Sequence, residues 1–355
     1  MNNMKKVMFV TATLGGGGAE RVMLNLANYM AEQGHSIIVF CTAPRIKNEY
    51  PLNAAVDVIF LETDKKNKLL KIADKLKKIR NVFKKYKDYT LVSFFPQENM
   101  YTVIGAMGLP NKVVLSERND PSRIPEKKIL RIIRNIIYEF CDEIVFQTKD
   151  AAKYFSKSIQ KKSCVIYNPV NDGMPEPYLG KKEKVVIAVG RMSPQKNYPL
   201  LLDAFAQFHQ THPEYKLEVY GRGKRQHLLN QIERLNIADS ATLYEHSNNI
   251  YDRVRKCEIY VSSSDYEGMS NTMLEAMALG TASVVTDCPV GGARAVIEDH
   301  QTGILVPVDD AKKLAEGMRE LAENEQLRKK IERNALYVRK DLSVETIAQK
   351  WSERF

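Results

Sequence analysis

Short runs of β-branched and aromatic residues alternate with amphipathic helical patterns along this chain, and the alternation runs through twice. In the first pass "KKVMFVTA", "HSIIVFC", "VDVIFL", "YTLVSFF", "NKVVLSE" and "DEIVFQT" read as strands, with helical segments between most of them. The stretch "AERVMLNLANYMAEQG" repeats its apolar residues at helical spacing and stops at Gly34. Strand–helix–strand order calls for a parallel sheet covered by helices. Residues 168–184, "NPVNDGMPEPYLGKKEK", are rich in Pro, Gly and charge and read as a linker. The pattern then restarts with "VVIAVG", "YKLEVYG", "ATLYEH", "CEIYVSS", "ASVVTD" and "GILVPV". A length of 355 residues also exceeds one typical core. The expectation is two doubly wound α/β domains, 1–170 and 171–342. The segment 343–355, which holds the only tryptophan, Trp351, is expected to pack back on the first.

Doubly wound sheets bind ligands beyond the carboxyl ends of their strands, and two of them face to face enclose a cleft. Special residues are therefore expected just after strands. After the first strand comes "TLGGGGAER", where Gly16 and Gly17 allow close backbone approach ahead of a helix N-terminus, which attracts anions. No Gly-Lys-Ser/Thr follows, and Glu20 takes the place of the third glycine of G-x-G-x-x-G. The simpler reading is a flexible turn. After the first strand of the second pass, "GRMSPQKN" carries Arg191 and Lys196 on one short loop, suited to a diphosphate. Two solvated surface charges are the alternative. "YGRGKR" adds a glycine turn at Gly221 and Gly223.

"CEIYVSSSDYEGMSNTMLEAMALG" reads as strand, loop and helix. Glu267 closes the loop. The amides of Gly268, Met269, Ser270, Asn271 and Thr272 lie at or near the helix start, where backbone N–H groups lack intrahelical acceptors. Glu275 falls about two turns further on, where a carboxylate can accept from vicinal hydroxyls such as those of a ribose. Alternatively, Glu267 only favours the helix N-terminus and Glu275 is solvated.

Together these stretches resemble the retaining GT-B glycosyltransferases of family 4. "EGMSNTMLE" fits the E-x7-E motif, and "GGAERV", "GRMSPQKN" and "TDCPVGG" fit its other stations across nearly the whole chain. The resemblance implies two Rossmann-like domains and a UDP-linked nucleotide-sugar donor held mainly by the second. It places Glu275 on the ribose, Glu267 near the donor sugar and Gly268–Thr272 amides on phosphate. Arg191 and Lys196 would neutralise the departing diphosphate, and Gly16 and Gly17 would approach the donor from the first domain. Many relatives carry a histidine after the fifth strand; this chain has "VVLSERNDPSR", so Glu117, Arg118 and Asn119 become candidates, with Arg118 in the histidine's place. A salt-bridged loop is the other reading. No D-x-D pair stands in a metal-binding context, so no metal and no cofactor are expected. The resemblance further implies transfer with retention of a hexose such as Gal or GalNAc, to a glycan or polyprenyl-pyrophosphate-linked acceptor, in surface polysaccharide assembly.

Charge adds one feature. The chain carries a formal +10, and residues 65–87, with eleven Lys/Arg and one acid, account for it. Leu69, Ile72, Ala73, Leu76, Ile79, Phe83 and Tyr86 recur there at helical spacing among lysines. An amphipathic acceptor-side helix is expected, with Lys71, Lys75 and Lys78 meeting an anionic membrane or a diphosphate. "IPEKKILRIIRNIIYEF", with Lys127, Lys128, Arg131 and Arg134 beside isoleucines, is expected to extend that face. A solubilising surface helix is the alternative. Only Phe83 and Tyr86 are aromatic in 65–87, which argues against a nucleic-acid partner. The chain has no apolar run near twenty residues, too short an N-terminal apolar stretch for a signal peptide, and five scattered cysteines. These point to a cytoplasmic protein peripheral to the membrane. The competing functions are an NAD-dependent oxidoreductase, disfavoured by the missing glycine fingerprint, a GT-B epimerase or phosphorylase, and a non-catalytic membrane- or nucleic-acid-binding protein.

Overall fold

The computed structural model describes residues 4–47, 49–62, 68–245, 247 and 249–355. The chain divides into two compact units. One comprises the residues up to Pro169 together with Val344–Phe355; the other is Val170–Ser343.

The first unit runs β1 (Lys6–Thr11), α1 (Gly18–Glu32), β2 (Ser36–Cys41), β3 (Val56–Phe60), α2 (Lys68–Lys85), β4 (Thr90–Ser93) and α3 (Pro96–Ala106). It continues with β5 (Val113–Glu117), α4 (Lys128–Tyr138), β6 (Glu143–Phe146), the short α5 (Lys149–Lys153) and α6 (Lys157–Lys161), and β7 (Ser163–Val165). Among the described residues its sheet has the order β3-β2-β1-β4-β5-β6-β7, and every pairing is parallel. The chain moves outward from β1 to β2 and then in the opposite direction from β3 through β6. Right-handed crossovers therefore put α1 on one face of the sheet and α2, α3 and α4 on the other. The packing agrees: α3 lies between α2 and α4.

The second unit runs β8 (Glu183–Val189), a 3₁₀ turn (Pro194–Lys196), α7 (Tyr198–His209), β9 (Lys216–Tyr220), α8 (Gln226–Arg234), β10 (Ala241–Tyr244), α9 (Ile250–Lys256) and β11 (Cys257–Ser262). Then come α10 (Asn271–Ala278), β12 (Ala282–Thr286), β13 (Ile304–Val306), α11 (Ala311–Glu323), α12 (Glu325–Ala335) and α13 (Val338–Asp341). Its parallel sheet is ordered β10-β9-β8-β11-β12-β13. Strands β11 and β12 are wholly buried and β8 is buried over Val185–Ala188, because helices cover both faces of a doubly wound sheet. Each sheet reverses direction once, between β1 and β4 in the first unit and between β8 and β11 in the second. Ligands of such folds sit outside the carboxyl ends of the strands at these switch points.

The last helix, α14 (Val344–Ser352), belongs to the first unit and packs against α1. Trp351 is fully buried and stacks on Phe94 with ring centroids 5.1 Å apart.

The two basic segments differ from expectation in instructive ways. The helix expected over 65–87 is described over Lys68–Lys85; residues 65–67 lie outside the described residues. Its second half packs, since Ile79 and Phe83 are fully buried against Gly105, where a β-carbon would stand 2.7 Å from Ile79. Its first half does not, with Leu70 61% and Ile72 37% exposed. Helix α4 is turned over relative to the reading that grouped Arg134 with the outward lysines. Arg134 and Tyr138 are the buried pair, one turn apart, while Ile129, Leu130, Ile132, Ile133, Ile136 and the following Phe140 are exposed. The guanidinium points inward because acceptors await it there. It donates to the carbonyls of Ile124 (2.6 Å) and Pro121 (2.9 Å), lies 3.7 Å from Glu117 and stacks over Phe155. A buried arginine met by carbonyls, a carboxylate and a ring offsets its desolvation.

Candidate functional site

The loops that follow β8 and β11 meet at the switch point of the second unit. Side chains and backbone stitch them together. Ser263 Oγ donates to the Lys196 carbonyl (2.8 Å), Gln195 Nε2 to the Tyr266 carbonyl (3.0 Å) and the Asp265 amide to the Gln195 carbonyl (3.0 Å). Asn197 holds the junction. Its backbone is left-handed at φ 42°, which asparagine tolerates better than most residues. Its side chain accepts from Leu200 N to cap α7 and donates to Asp265 (2.6 Å). Asn197 ahead of Tyr-Pro is a helix-start signal that the sequence reading passed over.

This stitching brings Lys196 and Glu267 together with Nζ and Oε1 2.6 Å apart, both side chains mostly buried. Burial disfavours the Lys196 ammonium, but the adjacent Glu267 carboxylate outweighs it, so the lysine pKa is held above its ordinary value. An ammonium has three N–H donors and Glu267 takes one, so the cation keeps capacity for a second anionic ligand. Glu267 Oε1 also accepts from Ser264 Oγ at 3.2 Å. Arg191, on the same loop as Lys196, is exposed.

Gly268 and Met269 lead into α10. Ser270 is its N-cap, its hydroxyl accepting from Met273 N at 3.4 Å, and Thr272 Oγ1 accepts from Tyr260 at 2.9 Å. The Gly268 backbone is pressed by the "TDCPVGG" loop: a β-carbon on Gly292 would lie 1.6 Å from the Gly268 carbonyl oxygen. Gly221 does the same for the other loop, where a β-carbon would lie 1.8 Å from the Gly190 carbonyl oxygen. Both glycines thus shape the loops bearing Lys196 and Glu267. Glu275 is on α10, 7% exposed, and its Oε1 accepts from Asn171 (2.8 Å) and Tyr251 (3.2 Å). Neither partner was singled out in the sequence, because nothing local marks an asparagine in a linker or a tyrosine in a short helix.

The remaining candidates lie in the first unit. Gly16, with φ 109°, and Gly17, the N-cap of α1, follow β1 at that unit's switch point. Arg118 sits just past β5 but is 9% exposed, flat against Phe94 (4.6 Å) and near Trp351 (5.9 Å). Its Nη1 reaches the Ile166 carbonyl at 3.4 Å, while Nε and Nη2 are buried without a hydrogen-bond partner. Burial pushes its pKa down to about 9. Glu117 is fully buried, and its carboxyl is pushed up to about 7 by burial against the opposing pull of Arg134 and Tyr138.

Of the basic candidates, Lys71, Lys127 and Lys128 are exposed. Lys75 is half-buried over the Tyr101 ring (4.8 Å), its pKa lowered by burial. Lys78 is spent on Asp74 (3.0 Å) and the Glu62 carbonyl (2.8 Å), and Arg131 on the carbonyls of Pro125 (2.8 Å) and Glu126 (2.7 Å). Among the described residues, no helix is long and apolar enough to cross a membrane.

Two parallel sheets with cations, amides and carboxylates gathered at a switch point define a nucleotide-sugar-handling protein of the GT-B fold, and comparison with known proteins agrees. Residues 16–173 match the model "Glycosyltransferase Family 4" and residues 174–337 the model "Glycosyl transferases group 1". The chain belongs to this glycosyltransferase family and transfers a sugar from a nucleotide sugar. It is 28% identical to "GalNAc-alpha-(1->4)-GalNAc-alpha-(1->3)-diNAcBac-PP-undecaprenol alpha-1,4-N-acetyl-D-galactosaminyltransferase" of Campylobacter jejuni, over 98% of this chain and 97% of the relative. A second protein of that organism is also 28% identical: "N-acetylgalactosamine-N,N'-diacetylbacillosaminyl-diphospho-undecaprenol 4-alpha-N-acetylgalactosaminyltransferase", over 92% of each chain. Among solved structures, Anabaena Alr3699/HepE in complex with UDP-glucose aligns with a TM-score of 0.83 at 19% identity over 99% of both chains.

Proposed function

We propose that this chain is a retaining hexosyltransferase that moves Gal, GalNAc or a similar hexose from a UDP-linked donor to a polyprenyl-diphosphate-linked oligosaccharide, without a metal. The observation that carries the reading is the Lys196–Glu267 pair at the second switch point, with Glu275 two turns along the helix that starts there. Breaking the sugar–phosphate bond develops negative charge on the nucleoside diphosphate. Lys196, Arg191 and the amides around Gly268–Thr272 stabilise it as it forms. Glu267 orients the donor sugar while holding Lys196 charged, and Glu275 receives the ribose hydroxyls. The two carboxylates act as binding and orienting groups, and the acceptor hydroxyl attacks on the face the diphosphate leaves, its proton passing to an oxygen of the departing diphosphate. Both Campylobacter relatives are named for lipid-diphosphate-linked acceptors, which supports the choice of acceptor.

Work on such an acceptor takes place at the cytoplasmic face of a membrane, and α4 supplies a docking surface. Six large apolar side chains stand exposed on or just after a helix about 16 Å long, with Lys127 and Lys128 at its start. Immersing them in the lipid interface gains apolar burial, and each nearby basic residue adds roughly 1 kcal/mol on an anionic surface. Exposed Lys71 on α2, in the same helical layer, adds to the charge.

A hydrolysis and thermal-shift screen with UDP-, GDP- and other nucleotide sugars, and with NAD, tests the donor reading. Stabilisation by UDP and slow release of hexose from one UDP-sugar are expected. Stabilisation by GDP or another nucleotide rather than UDP would overturn the choice of donor, and NAD is expected to have no effect.

A further inference from the structure

The carboxylate of Glu275 belongs to a closed ring of three hydrogen bonds drawn from three separate stretches of chain. Asn171 Nδ2 donates to Glu275 Oε1 at 2.8 Å and to Tyr251 Oη at 2.6 Å, and Tyr251 Oη donates to Glu275 Oε1 at 3.2 Å. The ring uses both N–H groups of the amide and the one proton of the phenol: one N–H and the phenol proton are aimed at a single carboxylate oxygen, and the other N–H at the phenol oxygen. Only one orientation of the Asn171 amide satisfies it, because both of its partners here act as acceptors. Asn171 is itself anchored: the preceding Val170 amide donates to the Leu342 carbonyl at 2.7 Å, tying the segment to the end of α13. Tyr251 lies in the first turn of α9 and Glu275 in the middle of α10.

We infer that Asn171 and Tyr251 are positioning residues for the nucleotide: by fixing Oε1 they set the plane of the Glu275 carboxylate for the ribose hydroxyls. This rests on the donor reading above. A glutamate side chain has three rotatable bonds, and a carboxylate free to turn would have to be ordered each time a ribose arrived. Two donors on one oxygen remove that freedom before binding. They also share the charge of a carboxylate that is nearly buried, leaving it a directional acceptor. The same ring attaches the start of the second unit, at Asn171, to the helix that carries the donor site, so the segment leaving the first unit ends on a residue that touches Glu275. The preference for a ribose carrying both hydroxyls is thereby assigned to three residues, 171, 251 and 275, of which only the last falls within the E-x7-E stretch.

The test measures binding of UDP and GDP, and of their 2′-deoxy and 3′-deoxy forms, to the full chain and to Glu275→Ala, Asn171→Ala and Tyr251→Phe, with melting temperatures alongside. For the wild type, loss of a ribose hydroxyl is expected to weaken the better nucleotide roughly tenfold, one hydrogen bond to a charged group. Asn171→Ala and Tyr251→Phe are expected to weaken the intact nucleotide about fivefold to tenfold while leaving the deoxy forms close to wild type, so that discrimination collapses. In donor turnover the same variants raise KM and leave kcat nearly unchanged. If both variants discriminate as well as wild type, the ring is only a strap for the linker and the inference is overturned. Should Asn171→Ala melt early, Tyr251→Phe, which keeps its ring and packing, decides alone. A wild type indifferent to the ribose hydroxyls, with Glu275→Ala unchanged, overturns the donor reading itself and the inference with it.

Discussion

At the scale of single residues, the second unit separates what a sequence displays from what only folding reveals. Glu267, Glu275, Lys196 and Arg191 could be singled out as candidates because each stands just after a strand or on the helix that follows. The contact between Lys196 and Glu267 was not, since 71 positions separate them and no local pattern links the loop after β8 to the loop after β11. The first unit shows the reverse. Arg118 is marked by its position after β5, yet the folded chain buries it against Phe94 and Trp351. Its neighbour Glu117 makes a testable statement about pH. The folded carboxyl titrates near pH 7, above its ordinary value of 4.5, because burial opposes its charge. Between those values the native state holds a proton that the unfolded chain has released. The contribution of Glu117 to stability is therefore present below about pH 4.5 and is lost as pH rises through about 7. Glu117→Gln has no such proton. Urea unfolding from pH 5 to pH 8 should show wild type losing stability relative to the variant as pH rises; parallel profiles would mean that Glu117 titrates normally.

At the scale of elements, strand and helix order was legible because periodicity reports which faces are covered, and in a doubly wound sheet that follows from alternation alone. Which side of a helix faces inward was less legible. In α4 the spacing that groups four isoleucines also groups Arg134 with Tyr138, and periodicity does not say which group goes inside. The acceptors of the loop at 121–124 and Glu117 decide it in favour of the arginine. What remains outside is an apolar ridge with lysines at its start. Replacing Ile132 and Ile136 by glutamate should abolish flotation with anionic liposomes at low and high salt, with little change in melting temperature, because both side chains are exposed. Replacing Lys127 and Lys128 by glutamate should weaken flotation mainly at low salt. Unchanged flotation of the isoleucine variant would assign the ridge no part in docking.

At the scale of the whole molecule, the candidate residues divide between the two units. The second holds the paired Lys196 and Glu267 and the anchored Glu275; the first holds the glycine turn after β1, the basic α2 and the apolar ridge of α4. The twofold run of strand–helix alternation is in the sequence, whereas the strand orders and the identity of the sugar and its acceptor are not; the last two depend on the shape of loops rather than on their residue types. The account therefore stands or falls on transfer. The full chain, incubated with UDP-hexoses and a polyprenyl-diphosphate-linked oligosaccharide in anionic vesicles, with EDTA present, should extend the glycan by hexose from one donor. The new linkage, read by NMR, should keep the α-configuration of that donor. An inverted linkage, or transfer that appears only when a divalent cation is restored, would contradict the mechanism; no extension of any lipid-linked acceptor, by a protein that still hydrolyses the donor, would contradict the acceptor.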